Sequence, residues 1–225
     1  MPLGVLALGD SITNGHGGMQ SGLGSQSWAQ WLAEALELPF TKLAQDGATA
    51  RDVVEHQVPR IRGARYDLGC VYIGVNDARQ TTWDLARYER DLDTILGALA
   101  ERCDRTLTLT LPLELGIPPA GADLPATNDA IRRVARRHGT VVADLSDFEG
   151  AAHVWADRVH ATATGQVEIA DRAARALGAP RLPSEVANPP TPDLAYRWHY
   201  AKRAARERVR AAVMRARAAR STGRG

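Results

Sequence analysis

The sequence predicts an α/β protein in which a five-stranded parallel sheet lies between two layers of helices. Short runs of leucine and β-branched residues alternate with longer helical patterns along most of the chain, which is typical of consecutive βα units. A parallel sheet must be covered on both faces, and its crossovers are right-handed. These observations predict a three-layer αβα sandwich that binds its ligand at the carboxyl ends of the strands.

The predicted strands are short apolar runs, each followed by a turn signal or a helical pattern. They are placed at residues 3–8, 39–44, 68–74, 106–111 and 140–144. The helices are predicted at residues 27–38, 50–61, 82–103, 125–138 and 164–177. Ser27 is the predicted N-cap of the first of these helices. The apolar stripe of the helix over 82–103 is expected to face the sheet and consists of Leu85, Tyr88, Leu92, Ile95, Leu96 and Leu99.

The domain organisation follows from composition and charge. The chain has 225 residues, of which 44% are hydrophobic and 24% charged, so it has the composition of one globular domain with an appendage. We expect the domain at residues 1–179, a proline-rich linker at 180–192, and a basic amphipathic helix at 193–225. The formal charge is −6 over residues 1–192 and +8 over residues 193–225. A segregation of that size gives the last segment an environment or a partner of its own.

Cellular compartment and metal binding are constrained by what the sequence lacks. No apolar run approaches the roughly 18 residues of a membrane-spanning helix, and the N-terminus has no basic region of the secretory type, so the sequence predicts a cytoplasmic protein. Cys70 and Cys103 have no CxxC spacing and are expected to be buried free thiols. The histidines show no metal-ligand spacing. We therefore expect neither a metal nor a cofactor.

Four polar motifs fall where the predicted strands end or a helix begins. The sequence has GDS at residues 9–11, DG at 46–47, GVND at 74–77 and DRVH at 157–160. Asp and Ser also cap helices and turns, so each motif alone is weak evidence. Their coincidence at the carboxyl edge of the sheet favours an active site.

Together the four motifs resemble the sequence blocks of the SGNH, or GDSL-type, hydrolase superfamily, over residues 3 to about 178. The resemblance implies a flavodoxin-like αβα fold and an esterase or lipase. It implies Ser11 as the nucleophile, Asp157 and His160 as the other members of a catalytic triad, and an oxyanion hole formed by Ser11, Gly47 and Asn76. Ile12 replaces the leucine of the nominal GDSL motif.

The chemistry of these residues agrees with that resemblance. A serine hydroxyl needs a neighbouring base to become nucleophilic, and histidine suits that role. An aspartate three residues before His160 can orient the ring and stabilise the imidazolium. Backbone N–H groups and a side-chain amide can bind a developing oxyanion. Two features modify this pattern: Asp46 adds a carboxylate near the predicted oxyanion hole, and Asp77 is expected to be structural.

Several alternatives remain open at the level of sequence. Hydrolysis of a small-molecule carboxylic ester is favoured, and a thioesterase, an acyltransferase or a catalytically silent binding module would use the same scaffold. The apolar stripe of the tail consists of Leu194, Trp198, Ala201, Ala205, Val209, Ala212, Val213 and Ala216. It could dock on the domain itself, on a second subunit or on an anionic membrane surface, and nucleic acid is the least favoured partner.

Overall fold

The computed structural model describes residues 2–15, 23–24, 26–61, 63, 65–114 and 122–189, together with 194–195, 197–198, 200–202, 204–206 and 209 of the tail. Most of the glycine-rich loop after the GDS motif and most of the basic tail therefore lie outside the described residues. The predicted stripe residues Ala212, Val213 and Ala216 are among those outside.

The five strands form one parallel sheet in the order β2-β1-β3-β4-β5. Their bounds are β1 Val5–Gly9, β2 Phe40–Lys42, β3 Tyr66–Tyr72, β4 Cys103–Leu109 and β5 Val141–Ala143. All four neighbouring pairs run parallel. This order confirms the predicted α/β fold with its central five-stranded sheet. It also brings the ends of β1 and β3, where the GDS and GVND motifs begin, side by side in the middle of the sheet.

Helices cover both faces of the sheet and are amphipathic. They are α1 Ser11–Asn14, α2 Trp28–Ala35, α3 Ala50–Asp52, α4 Val75–Ala78, α5 Leu85–Arg102, α6 Leu124–Arg137, α7 Ala163–Leu177 and α8 Pro183–Ala187. The N-cap prediction for Ser27 is confirmed, because its side chain accepts the Gln30 N–H. The predicted stripe of α5 is buried from Tyr88 to Leu99, with Leu85 partly buried.

The α5 helix is shorter than predicted at both ends. Its N-cap is Asp84, whose carboxylate accepts the N–H groups of Ala86 and Arg87, so the helix begins at Leu85 rather than at residue 82. At the other end the backbone of Cys103 is already extended and starts β4 without an intervening loop. The Cys103 sulfur packs close to Gly69. A Cβ at position 69 would lie 2.5 Å from that sulfur. The thiols of Cys70 and Cys103 are free and buried, as predicted.

The single helix predicted over residues 50–61 is replaced by three different turns. Thr49 and Asp52 form a capping box around the α-helical turn α3. A π-helical segment follows over Val53–Gln57, and a 3₁₀ turn over Val58–Arg60 ends the element near a proline. A π-turn is a local widening of a helix that often occurs at functional sites.

The proline-rich segment predicted as a linker contains a short helix, α8. Pro183 occupies its first turn and is buried, and the Ser184 N–H donates to the buried Asp171 carboxylate on α7 over 2.8 Å. The part of the segment up to Ala187 therefore packs on the domain. No helix within the described residues is both long and apolar enough to cross a bilayer.

Candidate active site

The turn that carries the predicted nucleophile, residues 9–12, joins β1 to α1 at the centre of the sheet and is called the nucleophile turn below. Gly9 has φ +142°, and a Cβ there would lie 2.4 Å from the Tyr72 carbonyl oxygen of the neighbouring strand, so only glycine fits. Asp10 is the N-cap of α1, since its carboxylate accepts the Ile12 N–H over 2.9 Å. Ser11 is thereby placed at the first position of α1, and only 8% of its surface is exposed.

The histidine hairpin, residues 154–161, precedes α7. An antiparallel bridge pairs Val154 with Ala161, and the Trp155 N–H donates to the His160 carbonyl over 2.8 Å. Arg158 adopts a left-handed backbone at φ +56° at the tip. Gly165 of α7 lies against the base of the hairpin, where a Cβ would meet the His153 carbonyl oxygen at 1.9 Å. The hairpin and α7 are therefore closely packed.

The nucleophile turn and the histidine hairpin meet in a chain of hydrogen bonds. Ser11 Oγ lies 3.0 Å from His160 Nε2, and His160 Nδ1 lies 2.9 Å from Asp157 Oδ2. The two elements are 149 residues apart in the sequence. The structure thus brings together all three residues that the resemblance implied as a triad, at distances that allow proton transfer.

The second oxygen of Asp157 organises the backbone of the hairpin. It accepts the N–H groups of Val159 and His160, both over 3.0 Å. Partial burial raises the pKa of this carboxyl group. The hydrogen bonds from the His160 ring and from the two backbone N–H groups outweigh burial, and they lower the pKa to about 2. Asp157 is therefore an anion at neutral pH.

The Asp10 carboxyl group, next to Ser11, has the opposite environment. It is 1% exposed, and burial raises its pKa from 3.8 to about 7. The Ile12 N–H and the charge of His160 lower the pKa, whereas the nearby Asp77 raises it further. Asp10 thus titrates close to neutral pH, one residue before the predicted nucleophile.

The predicted oxyanion residues lie on two loops that are tied to each other and to the nucleophile turn. The Asn76 side chain donates to the Ala48 carbonyl over 2.9 Å, next to Gly47. The loop that carries Gly47 is joined to β1 by the bond from the Gln45 N–H to the Gly9 carbonyl, 3.1 Å long. Gly47 has φ +75° and open space where a Cβ would be, so its conformation rather than its size favours glycine.

The two extra carboxylates of these loops have structural contacts. Asp46 is exposed and accepts the side-chain amide of Asn14 over 2.8 Å. Asp77 accepts the Ala50 N–H at the start of α3, which agrees with its predicted structural role. Burial raises the pKa of Asp77 to about 6. Both side chains hold the loops of the candidate site to the elements beside them.

Comparison with known proteins decides the family. The sequence profile of the GDSL-like Lipase/Acylhydrolase family matches residues 7–167, which is well over half of the chain. The chain belongs to that family. It is accordingly a carboxylic ester hydrolase with the α/β fold of the SGNH hydrolases. No curated protein sequence is significantly similar to it.

Solved structures agree with the GDSL-like fold at low sequence identity. LAE5, an α/β hydrolase enzyme from the metagenome of Lake Arreo in Spain, is 23% identical with a TM-score of 0.64, and the match covers 78% of this chain and 94% of LAE5. Axe2, an acetylxylan esterase from Geobacillus stearothermophilus, is 21% identical with a TM-score of 0.61 and the same coverage of both chains. Two Axe2 structures are of catalytic mutants in which a serine or an aspartate is replaced by alanine.

Two buried glutamines hold the nucleophile turn of this GDSL-like enzyme, and sequence reasoning missed both. Gln57, at the end of the π-turn, accepts the Gly9 N–H over 2.9 Å and donates to the Gly9 carbonyl over 2.8 Å. Gln166, in the first turns of α7, donates to the Ile12 carbonyl over 3.0 Å and accepts the Trp28 N–H over 2.8 Å. The only sequence signal is a glutamine at a helix position that faces the core.

A groove of about 220 Å³ lies beside the histidine hairpin and is lined by Glu114, Glu149, Gly150, Ala151, Val154, Trp155, Arg158 and Tyr200. Tyr200 belongs to the basic tail, and its ring stacks on Trp155 at a centroid distance of 6.5 Å and an angle of 11°. The tail thus contacts the domain at the hairpin. The large apolar residues of the stripe that the structure describes are mostly exposed: Leu194 by 83%, Trp198 by 67% and Val209 by 65%. For these residues the exposure argues against the alternative in which the stripe docks on the domain itself, and docking on a second subunit or on a membrane surface stays open.

Proposed function

We propose that the chain hydrolyses carboxylic esters through a covalent acyl-enzyme on Ser11, with His160 as general base and Asp157 as the residue that orients it. The observation that carries the proposal is the continuous hydrogen-bond chain from Ser11 Oγ through His160 to Asp157 Oδ2. Neither a metal nor a cofactor is needed for this chemistry. The catalytic mutants of Axe2 at a serine and an aspartate support the same assignment here.

In the first half of the reaction His160 Nε2 takes the Ser11 proton while Ser11 Oγ bonds to the ester carbonyl carbon. The imidazolium that forms is stabilised by Asp157, which is already anionic. When the tetrahedral intermediate collapses, the bond to the alcohol breaks and His160 gives its proton to the leaving alkoxide. In the second half water replaces the alcohol, and the same steps release the acid and restore Ser11.

The oxyanion of each intermediate is bound by the backbone N–H groups of Ser11 and Gly47 and by the Asn76 amide. Asn76 uses its Nδ2 group to bond the Ala48 carbonyl, and a primary amide has a second N–H for the substrate. The contact to Ala48 also fixes the amide relative to Gly47 before substrate arrives. Donors arranged in advance in this way lower the barrier because they need no reorganisation during the reaction.

The kinetic test is a comparison of Ser11→Ala with Ser146→Ala on p-nitrophenyl acetate, whose acetyl group matches the substrate class of Axe2. Ser146 lies after β5 and is outside the Ser11–His160–Asp157 chain. Ser11→Ala should lower kcat by at least about 10⁴-fold, whereas Ser146→Ala should stay within about threefold of the parent enzyme. Retention of more than about a tenth of the activity by folded Ser11→Ala would rule out the serine mechanism.

We further propose that the basic tail binds an anionic lipid surface. Its described stripe residues Leu194, Trp198 and Val209 face away from the domain and are exposed, while residues 193–225 carry a formal charge of +8. A helix that combines exposed apolar residues, including tryptophan, with many arginines has the character of a membrane-surface helix. Like charge on two tails argues against tail-to-tail pairing. The stacking of Tyr200 on Trp155 would keep the tail, and the lipid surface bound to it, beside the histidine hairpin.

Co-sedimentation of the full chain with vesicles tests this second proposal. The protein should pellet with vesicles that contain phosphatidylserine and not with phosphatidylcholine alone, and added salt should release it. Trp198→Ser should weaken binding about tenfold or more, because the exposed ring would insert in the interface. The matched control is Leu113→Ser, which changes an exposed apolar residue of the domain and should not alter binding. Equal effects of the two variants, or loss of a dimer in Trp198→Ser, would overturn the proposal.

A further inference from the structure

Gln166 lies between the two halves of the candidate active site. It is 1% exposed and belongs to α7, the helix that begins three residues after His160. Its side-chain amide donates to the Ile12 carbonyl of the nucleophile turn over 3.0 Å. This hydrogen bond joins positions 154 residues apart, one on the segment that carries Ser11 and the other on the helix that follows the histidine hairpin.

The helical end of this connection is rigidly attached to the hairpin. Thr162 is the N-cap of α7: its hydroxyl accepts the Gly165 N–H and also bonds the Ala152 carbonyl over 2.6 Å. The Thr162 N–H donates to the His153 carbonyl over 2.8 Å. The contact between Gly165 and the His153 backbone leaves no room for a side chain. A displacement of the first turn of α7 would therefore move the hairpin that carries His160.

A second hydrogen bond, accepted by the Gln166 side-chain oxygen, fixes the orientation of the amide. Gln166 Oε1 accepts the Trp28 N–H over 2.8 Å, at the first residue of α2, so the amide cannot rotate without leaving a buried group unpaired. Both polar ends of the side chain are thus satisfied by backbone groups of different elements. The bridge therefore constrains the distance between α7 and the nucleophile turn.

We propose that Gln166 is a positioning residue whose bridge from α7 to the Ile12 carbonyl sets the distance between Ser11 Oγ and His160 Nε2. The inference rests on the proposed function, because it assigns Gln166 a role only if that hydrogen bond is used in catalysis. Gln166 does not touch the reacting atoms. It acts through the relative placement of the two elements that carry them.

Gln57 provides a matched control within the same turn. It is also buried, at 0% exposure, and it also makes two hydrogen bonds, both to the Gly9 peptide group. Unlike Gln166, it lies on the π-turn that follows α3, and among the described residues both of its side-chain hydrogen bonds go to Gly9 rather than toward the histidine hairpin. Removing either amide deprives the nucleophile turn of buried hydrogen bonds, but only Gln166 joins that turn to the helix that follows the histidine hairpin.

The experiment compares Gln166→Met with Gln57→Met, each of which keeps the volume and removes the amide. Both should lower Tm. Per folded molecule, Gln166→Met should lower kcat on p-nitrophenyl acetate about 10- to 100-fold more than Gln57→Met, since misplacement by about 1 Å can cost that much. KM should change less than about threefold, because substrate binding does not depend on the Ser11–His160 distance. If the Met variants fail to fold, Gln166→Asn and Gln57→Asn make the same comparison with shorter side chains that keep the amide.

A His160→Ala background separates this inference from the proposed function. His160→Ala alone should abolish most activity, and retention of activity would refute the proposed function itself. If it does abolish activity, adding Gln166→Met should lower the residual rate less than about threefold, because there is no longer a histidine to misplace. A full additional loss in that background, or equal kcat for the two glutamine variants, would show that Gln166 only stabilises the fold.

Discussion

Two aspartates flank the Ser11–His160 pair, and their surroundings shift their pKa values in opposite directions. Asp10, on the nucleophile turn, is almost completely buried and accepts the Ile12 N–H; its pKa is raised to about 7. Asp157, on the histidine hairpin, keeps 29% of its side chain exposed and accepts hydrogen bonds from two backbone N–H groups and an imidazole. Its pKa is lowered to about 2.

The difference follows from burial and donors together: Asp10 is almost completely buried and accepts the Ile12 N–H, whereas Asp157 is partly exposed and accepts two backbone N–H groups and the His160 ring. Burial disfavours the ionised form of both groups, and only the donors around Asp157 outweigh it. Asp157 can therefore stabilise an imidazolium throughout the neutral range. Asp10 holds the helix start that presents Ser11, at the cost of a carboxyl group whose charge is poorly solvated. The predictions below test this division of roles.

The largest expected effect is that of Asp157→Asn. The asparagine can still bond the hairpin backbone, but it has no charge for the imidazolium and can force the wrong ring tautomer, so kcat should fall about 10³- to 10⁴-fold. The measurement is steady-state hydrolysis of p-nitrophenyl acetate. Asp144→Asn is the control: Asp144 also accepts a backbone N–H, that of Ser146, but it has no bond to His160. A loss of less than tenfold in folded Asp157→Asn would remove Asp157 from the mechanism.

A smaller loss is expected for Asn76→Ala, which changes the oxyanion side of the nucleophile turn. Removing one such donor typically lowers kcat about 10²- to 10³-fold, with a smaller effect on KM. Asn128→Ala is the matched control, because this buried amide bonds the backbone of Leu111 at both ends. That variant should lower Tm and leave kcat per folded molecule within about threefold. A change of KM alone in Asn76→Ala would mean that the amide binds the ground state.

The smallest effect concerns stability, and it has opposite signs for the two aspartates. A carboxyl group whose pKa is raised by folding lowers the stability of the folded state once the pH is high enough to ionise it in the unfolded state. The penalty from Asp10 is therefore absent below about pH 4 and reaches its full size above about pH 7. Asp10→Asn should therefore raise the free energy of unfolding at pH 8 by up to about 4 kcal/mol, since about three pKa units are involved at about 1.4 kcal/mol each. At pH 4 the two proteins should be equally stable.

Asp157 provides the opposite case. Its lowered pKa stabilises the folded state above about pH 4, and this contribution is lost as the pH falls through about 2. Asp157→Asn should lower the free energy of unfolding by about 2 kcal/mol at pH 7, since about two pKa units are involved. Urea titrations over this pH range would measure both variants. If Asp10→Asn were destabilising at pH 8, the claim that buried Asp10 is poorly solvated would be wrong.

The elements that depend on local pattern were predictable from the sequence. Alternation of apolar and helical segments gave the five strands, and the polar motifs at their ends placed Ser11, Asn76 and His160 on one edge of the sheet. The Ser27 cap and the α5 stripe follow from short-range spacing. These features are encoded within a few residues of where they act.

What could not be predicted depends on contacts between distant parts of the chain. Gln57 and Gln166 bond positions 48 and 154 residues away, and neither lies in a recognisable motif. Cys103 continues an apolar helical pattern, but its backbone is extended and pairs with Tyr66 in the sheet, and its sulfur packs against Gly69. The α8 helix forms within a proline-rich segment, where the Asp171 carboxylate of α7 accepts the Ser184 N–H in its first turn. In each case a tertiary contact overrides the local preference.

In the proposed mechanism His160 activates the Ser11 hydroxyl, and Ser11 Oγ forms the covalent acyl-enzyme. The most direct measurement is incubation with a fluorophosphonate, followed by mass analysis of the peptides. We expect one phosphonyl group on Ser11 in the parent enzyme, none in Ser11→Ala, and labelling slowed by several orders of magnitude in His160→Ala. Hydrolysis that continues after complete reaction with the reagent, or an adduct on a residue other than Ser11, would contradict the proposed mechanism.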